Sequence, residues 1–116
     1  MSFSKYLHMA LSCCFLLGLD VSTARAECYD TYGCTDKDVF NSSDLLNNGL
    51  NCELLYTIRN QIYVGHGYCF RTARAQSMFG TGNCTVRDLN ALDLNSYERR
   101  NAATIAQVER AKGCPR

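Results

Sequence analysis

A histidine stands between two glycines in YVGHGYCF, Tyr63–Phe70, three residues before a cysteine. Imidazole titrates near neutral pH, so His66 is the natural candidate for a general acid, a general base or a metal ligand. Each of those roles needs partners within reach. The other histidine, His8, lies in an apolar N-terminal stretch. No Gly-x-Ser-x-Gly elbow is present, no paired carboxylates stand at a telling spacing, and there is no Cys-x-x-Cys or His-x-x-x-His for zinc. A cysteine–histidine pair would require Cys69 as a free thiol. His66 is therefore read first as a residue that caps a helix end by bonding nearby carbonyls, with no catalytic residue assigned. The alternative is a small hydrolase using His66 with a carboxylate.

Two polar motifs invite a second chemistry: Arg59-Asn60 and Glu98-Arg99-Arg100-Asn101. If they lie on packed helices, Arg59 can pair with Glu98, and Asn60 and Asn101 can cap loop backbone. A partly buried pair of this kind adds little net stability but fixes packing register. The functional alternative is an anion or sugar site built from Arg59, His66 and Asn101. Tyrosine joins an apolar face to a polar tip and suits protein or glycan contacts. Tyr56, Tyr63 and Tyr97 are read as core rim; Tyr29, Tyr32 and Tyr68 stay open, with Tyr68 a binding candidate.

Six cysteines follow residue 26: Cys28, Cys34, Cys52, Cys69, Cys84 and Cys114. An even count in a small exported chain reads as a disulfide framework, and spacing alone does not choose among the fifteen pairings. The pairing expected is Cys28–Cys34, Cys52–Cys114 and Cys69–Cys84. The first would pin an N-terminal loop, the second would tie the start of the first long helix to the end of the last, and the third would close the middle segment. Loop entropy assigns roughly 3 kcal/mol to a bridge such as 69–84 and roughly 4 kcal/mol to one such as 52–114. A small domain has only ~5–15 kcal/mol of net stability.

The elements that would carry these residues are helical. Asn51 and Thr72 are good N-caps, and Asn95 with Glu98 has the spacing of a capping box. Helices are predicted from Asn51 to about Val64, over Ala73–Phe79, and from Asn95 to near Gly113. Leu54, Leu55, Ile58 and Ile62 share one face of the first. Gly65 and Gly67 would end it through the left-handed conformation. Tyr97, Ile105 and Val108 mark the buried side of the last, with Ala102 and Ala111 allowing close approach. The leucines of DLNALDLNS are expected to pack inward. Residues 27–50, rich in Asp, Asn, Ser, Thr and Gly, read as loop with a helical turn at Ser43–Asn47. No run alternates convincingly enough for a β-sheet.

The 116-residue chain is long enough for one small domain. Leu7–Leu19 is apolar and uncharged, and Ala24 and Ala26 suit a signal peptidase, so residues 1–26 read as a signal peptide. The apolar run is short for a membrane span, which needs about 20 residues, and no span remains after cleavage. Residues 27–116 carry ten basic and ten acidic side chains. That balance argues against nucleic acid as a partner.

CELLYTIRNQIYVGHGYCF, Cys52–Phe70, resembles the core motif of the YARHG domain, an extracytoplasmic module of bacteria. Leu55-Tyr56 stands for its aliphatic–aromatic pair, Arg59-Asn60 matches its Arg-Asn pair, and Tyr63-Val64-Gly65-His66-Gly67-Tyr68 carries its name motif. Glu98-Arg99-Arg100-Asn101 is similar to its later Glu-Arg-x-Asn. Cys69, Cys84 and Cys114 resemble a cysteine-bearing subgroup of small exported proteins. The pattern departs at Gly65, where the family name has arginine, and it lacks a tryptophan–tyrosine pair after the second helix.

The reading is thus a mostly α domain of about three helices, stapled by three disulfides. It divides into a signal (1–26), an irregular segment (27–50) and a YARHG-like helical domain (51–116). It would act in the periplasm or outside the cell as a non-enzymatic binding or structural module. No cofactor or metal is assigned, and the partner expected is an envelope protein or polymer. An inhibitor of an extracytoplasmic enzyme is a further alternative.

Overall fold

The computed structural model describes residues 27–116, and the signal-peptide expectation lies outside the described residues. The domain is built around two antiparallel helices, α2 (Cys52–Val64) and α4 (Ser96–Ala111). Two shorter helices flank them, α1 (Ser42–Asn47) and α3 (Ala73–Phe79). A single 3₁₀ turn, Leu89–Ala91, precedes α4.

Local chemistry explains where each helix starts. Asn51 Oδ1 accepts the Leu54 N–H at 2.8 Å, and Thr72 Oγ1 accepts that of Ala75 at 3.2 Å. At α4 the capping box is complete: Asn95 Oδ1 accepts from Glu98 N at 2.9 Å, and Glu98 Oε1 accepts from Asn95 N at 3.0 Å. Two donors that helix geometry leaves unpaired are satisfied reciprocally. Helix α2 ends in two stages. Gly65 keeps a right-handed conformation (φ −59°), and the turn to positive φ falls on Gly67 alone (φ 78°). A β-carbon at Gly67 would also stand 2.9 Å from Thr85 Oγ1.

The core is the seam between α2 and α4. Leu55, Ile58, Ile105 and Val108 are fully buried, with Ile62 and Ala102 beside them. Each large aliphatic contributes about 1.5–3 kcal/mol through burial. Leu54 is 41 % exposed and Tyr97 41 %, so neither belongs to the buried face expected for it. In the connector Leu92 and Leu94 pack inward and Leu89 does not. Ala102 allows close approach, whereas Ala111 is exposed.

Residues 27–50 are more ordered than their composition suggests. Two two-residue strands, β1 (Cys28–Tyr29) and β2 (Gly33–Cys34), pair antiparallel with Cys28 opposite Cys34. Phe40 and Leu45 then insert into the main core. The three disulfides join Cys28–Cys34, Cys52–Cys114 and Cys69–Cys84, the pairing expected. No helix among the described residues is long and apolar enough to cross a membrane.

Candidate functional site

The polar motifs are spent on holding the frame together. Glu98 does not reach Arg59. Its Oε2 lies 2.6 Å from His66 Nε2, while its Oε1 completes the capping box. His66 therefore ties the end of α2 to the start of α4 through a carboxylate, and not through the backbone carbonyls expected. Arg59 pairs instead with Glu109, in the last turn of α4, through Nε–Oε1 at 2.5 Å and Nη2–Oε2 at 3.2 Å. Burial works to lower the Arg59 pKa. The hydrogen bond and charge of Glu109, with a contribution from Tyr63, outweigh it and raise the pKa above its ordinary value.

Asn101 is fully buried on α4. Its Oδ1 accepts from Phe40 N at 2.9 Å, and its Nδ2 donates to the carbonyls of Thr35 at 2.9 Å and Asp38 at 2.7 Å. It holds the N-terminal segment onto the helix. Asn60 plays no part in that network: its Nδ2 bonds the Tyr56 carbonyl of its own helix.

A groove of about 720 Å³ runs across α2, away from His66 and Asn101. Tyr56, Arg59, Asn60 and Tyr63, from one face of α2, form its floor. Tyr68–Thr72 and the first turn of α3 form one wall, and the last turns of α4 with residues 113–116 form the other. The bridges set both walls. Cys52–Cys114 draws the segment after α4 back to the start of α2. Cys69–Cys84 and the hydrogen bond from Cys69 N to Val86 O (2.7 Å) fix the strand-like stretch that carries Tyr68.

Five arginines line this groove, Arg59, Arg71, Arg74, Arg110 and Arg116, against one carboxylate, Glu109. The Arg74 guanidinium lies 3.8 Å from the Tyr56 ring centroid, and that of Arg59 lies 5.6 Å from it. A guanidinium over an aromatic face still bonds oxyanions through its N–H groups, here Glu109 for Arg59 and Glu53 for Arg74. Arg74 also meets the exposed carboxylate of Glu53 at 2.6 Å, a surface pair that an incoming anion can displace. Among the described residues Arg71, Arg110 and Arg116 have no carboxylate partner. Tyr68 packs edge-on to Phe70 at 5.0 Å and to Tyr63 at 6.0 Å, and Phe70 stacks on Phe79. The aromatic cluster packs the wall that carries Tyr68 and Phe70 against the α2 floor.

Of the four binding candidates, the groove brings together Arg59 and Tyr68 and leaves out His66 and Asn101. The arginines at 71, 74, 110 and 116 were not singled out by sequence reasoning. They lie on separate elements and join no common motif. Among the described residues no group of three or more His, Cys, Asp or Glu could hold a metal ion.

A family model describing the YARHG domain matches residues 27–110. No curated protein and no solved structure matches the chain. The match includes the hairpin segment as well as the helices. The residues that carry the motif, Arg59, His66, Glu98 and Asn101, are the ones that tie α2, α4 and the N-terminal segment together.

Proposed function

The chain belongs to the YARHG domain family, and from that premise we propose that it is an exported, non-catalytic binding module whose working surface is the arginine–tyrosine groove. Three disulfides suit an oxidising, extracytoplasmic compartment. Export would run through the signal at residues 1–26, placing the domain in the periplasm or outside the cell. The ligand would present carboxylates or other oxyanions, on an envelope protein or polymer.

One observation carries this reading: five arginines gather over a tyrosine floor, three of them, Arg71, Arg110 and Arg116, with no carboxylate partner among the described residues, in a chain whose residues 27–116 balance acid and base. The positive charge is a local concentration and not a general basicity. A volume of about 720 Å³ suits a small ligand or a short stretch of a chain. His66 does meet a carboxylate, as the hydrolase alternative requires, but Glu98 is also held by the helix cap, which favours a structural role for the pair.

Isothermal titration of the exported, oxidised protein with poly-L-glutamate and with neutral dextran tests the proposal. The expected result is saturable binding to polyglutamate alone, weakened by salt and by Arg71→Gln with Arg110→Gln. Equal response to both polymers, or binding indifferent to the two substitutions, would overturn it.

A further inference from the structure

Charge is divided unevenly along the chain. Residues 27–50 carry five carboxylates, Glu27, Asp30, Asp36, Asp38 and Asp44, against Lys37 alone. Residues 51–116 carry nine basic residues against five carboxylates. The two parts therefore bear equal and opposite formal charge. Glu27, Asp30 and Asp44 are exposed, and among the described residues none of the three has a basic partner. The same segment exposes two large apolar side chains, Val39 at 53 % and Leu46 at 42 %.

The fold keeps this acidic segment away from its own groove. Phe40 is in the core and Asn101 grips three backbone groups of residues 35–40. On α4, Asn101 faces the segment while Ala106 and Arg110 line the groove. At ~100° per residue those positions lie about 140° and about 180° from Asn101 around the helix, and Glu109, which also lines the groove, lies about 80° from it. The segment and the arginines of the groove thus stand on different sides of α4. Two unlike, complementary surfaces at different places on one molecule make a head-to-tail contact, which extends or closes into a ring.

We propose that the groove receives the acidic N-terminal segment of a second copy of this chain. The arginines of one copy pair with Asp30, Asp44 and their neighbours on the next. Val39 and Leu46 meet the aromatic floor and the exposed Leu89 at its edge. The inference rests on the reading of the groove as an anion-binding surface and names its occupant.

Sedimentation velocity of the exported protein, with its three disulfides intact, tests it. Two variants are compared with the unmodified protein: a segment variant, Asp30→Asn with Asp44→Asn, and a groove variant, Arg71→Gln with Arg110→Gln. An exposed ion pair is worth roughly 1.5- to 5-fold in affinity, so two lost pairs weaken association by about tenfold. The unmodified protein is expected to grow in mass with concentration at low salt and to fall back to one chain as salt screens the contact. Each variant alone is expected to stay a single chain at concentrations where the unmodified protein associates, and to need about tenfold more protein to associate. Mixed, they are expected to form a one-to-one complex that grows no further, because one intact segment meets one intact groove. That complex also shows that both variants fold.

An unmodified protein that stays a single chain at low salt, or variants that self-associate as it does, would overturn the inference. Polyglutamate binding by a protein that does not self-associate would overturn this inference alone. Loss of both would remove the groove reading with it.

Discussion

Replacing Asn101 by alanine removes three hydrogen bonds at once from the interior of the domain. The side chain is fully buried and spans residues 35–40, accepting from Phe40 N and donating to the carbonyls of Thr35 and Asp38. Alanine leaves one donor and two acceptors without partners. A buried polar group stripped of its partner costs about 1–3 kcal/mol. Water reaching part of the gap relieves some of that, so the expected loss is about 3–5 kcal/mol. Against a net stability of ~5–15 kcal/mol this is a large fraction. In a domain of this size it corresponds to a fall in Tm on the order of 12–30 °C. Urea denaturation gives the free energy, and hydrogen exchange gives the location: protection of the Phe40 amide should fall more than that of α2. Asn101→Asp should fare no better, since it keeps an acceptor for Phe40 but loses both donated bonds and buries a charge. A loss under ~1 kcal/mol with Phe40 protection unchanged would refute this reasoning. The same variant, where folded, should keep its polyglutamate affinity, because Asn101 does not line the groove.

The Arg59–Glu109 pair should be costly to halve and cheap to replace. Glu109→Gln is expected to lose about 1–3 kcal/mol in urea denaturation, and Arg59→Met with Glu109→Leu to recover most of it. Gly67→Ala forces a β-carbon into a positive-φ position beside Thr85 Oγ1. It should lose at least about 1–2 kcal/mol by the same measurement, and Thr85→Ala should relieve only the steric part. Tyr29 has its phenol pKa raised, by burial first and by the charge of Glu27 second. The folded state therefore holds that proton longer than the unfolded state. Its contribution to stability is complete below the ordinary phenol range and is lost as pH rises through the folded value. A difference absorbance titration against Tyr29→Phe should place this phenol above an unstructured tyrosine.

Local signals in the sequence translated directly into helix starts. Asn51, Thr72 and the Asn95–Glu98 box cap as their types and spacing require. The hairpin at 28–34 was illegible because strands of two residues leave no alternation to read. The partner of Arg59 was misread, although the expected bridges already contained the answer. With Cys52 beside Cys114 and the helices antiparallel, Arg59 lies about 10 Å along α2 from the bridge. Glu109, five residues before Cys114, lies about 8 Å along α4, whereas Glu98 lies about 24 Å away. His66 follows two residues after the end of α2, which lies about 18 Å from the bridge, and so falls near the level of Glu98. Register arithmetic gives both observed pairs; motif matching alone does not. The groove was harder to see, since its lining comes from α2, residues 68–72, α3, Leu89 and the end of α4, and only tertiary packing collects them.

Nuclear magnetic resonance reaches the groove residue by residue. Amide shifts of the isotope-labelled, oxidised protein would be followed during titration with a short oligoglutamate. Binding in the groove gives a saturable set of shifts confined to the neighbourhood of Tyr56, Tyr68, Arg71, Arg74 and Arg110. Shifts centred on His66 and Glu98 instead, or none at any ligand concentration, would contradict it.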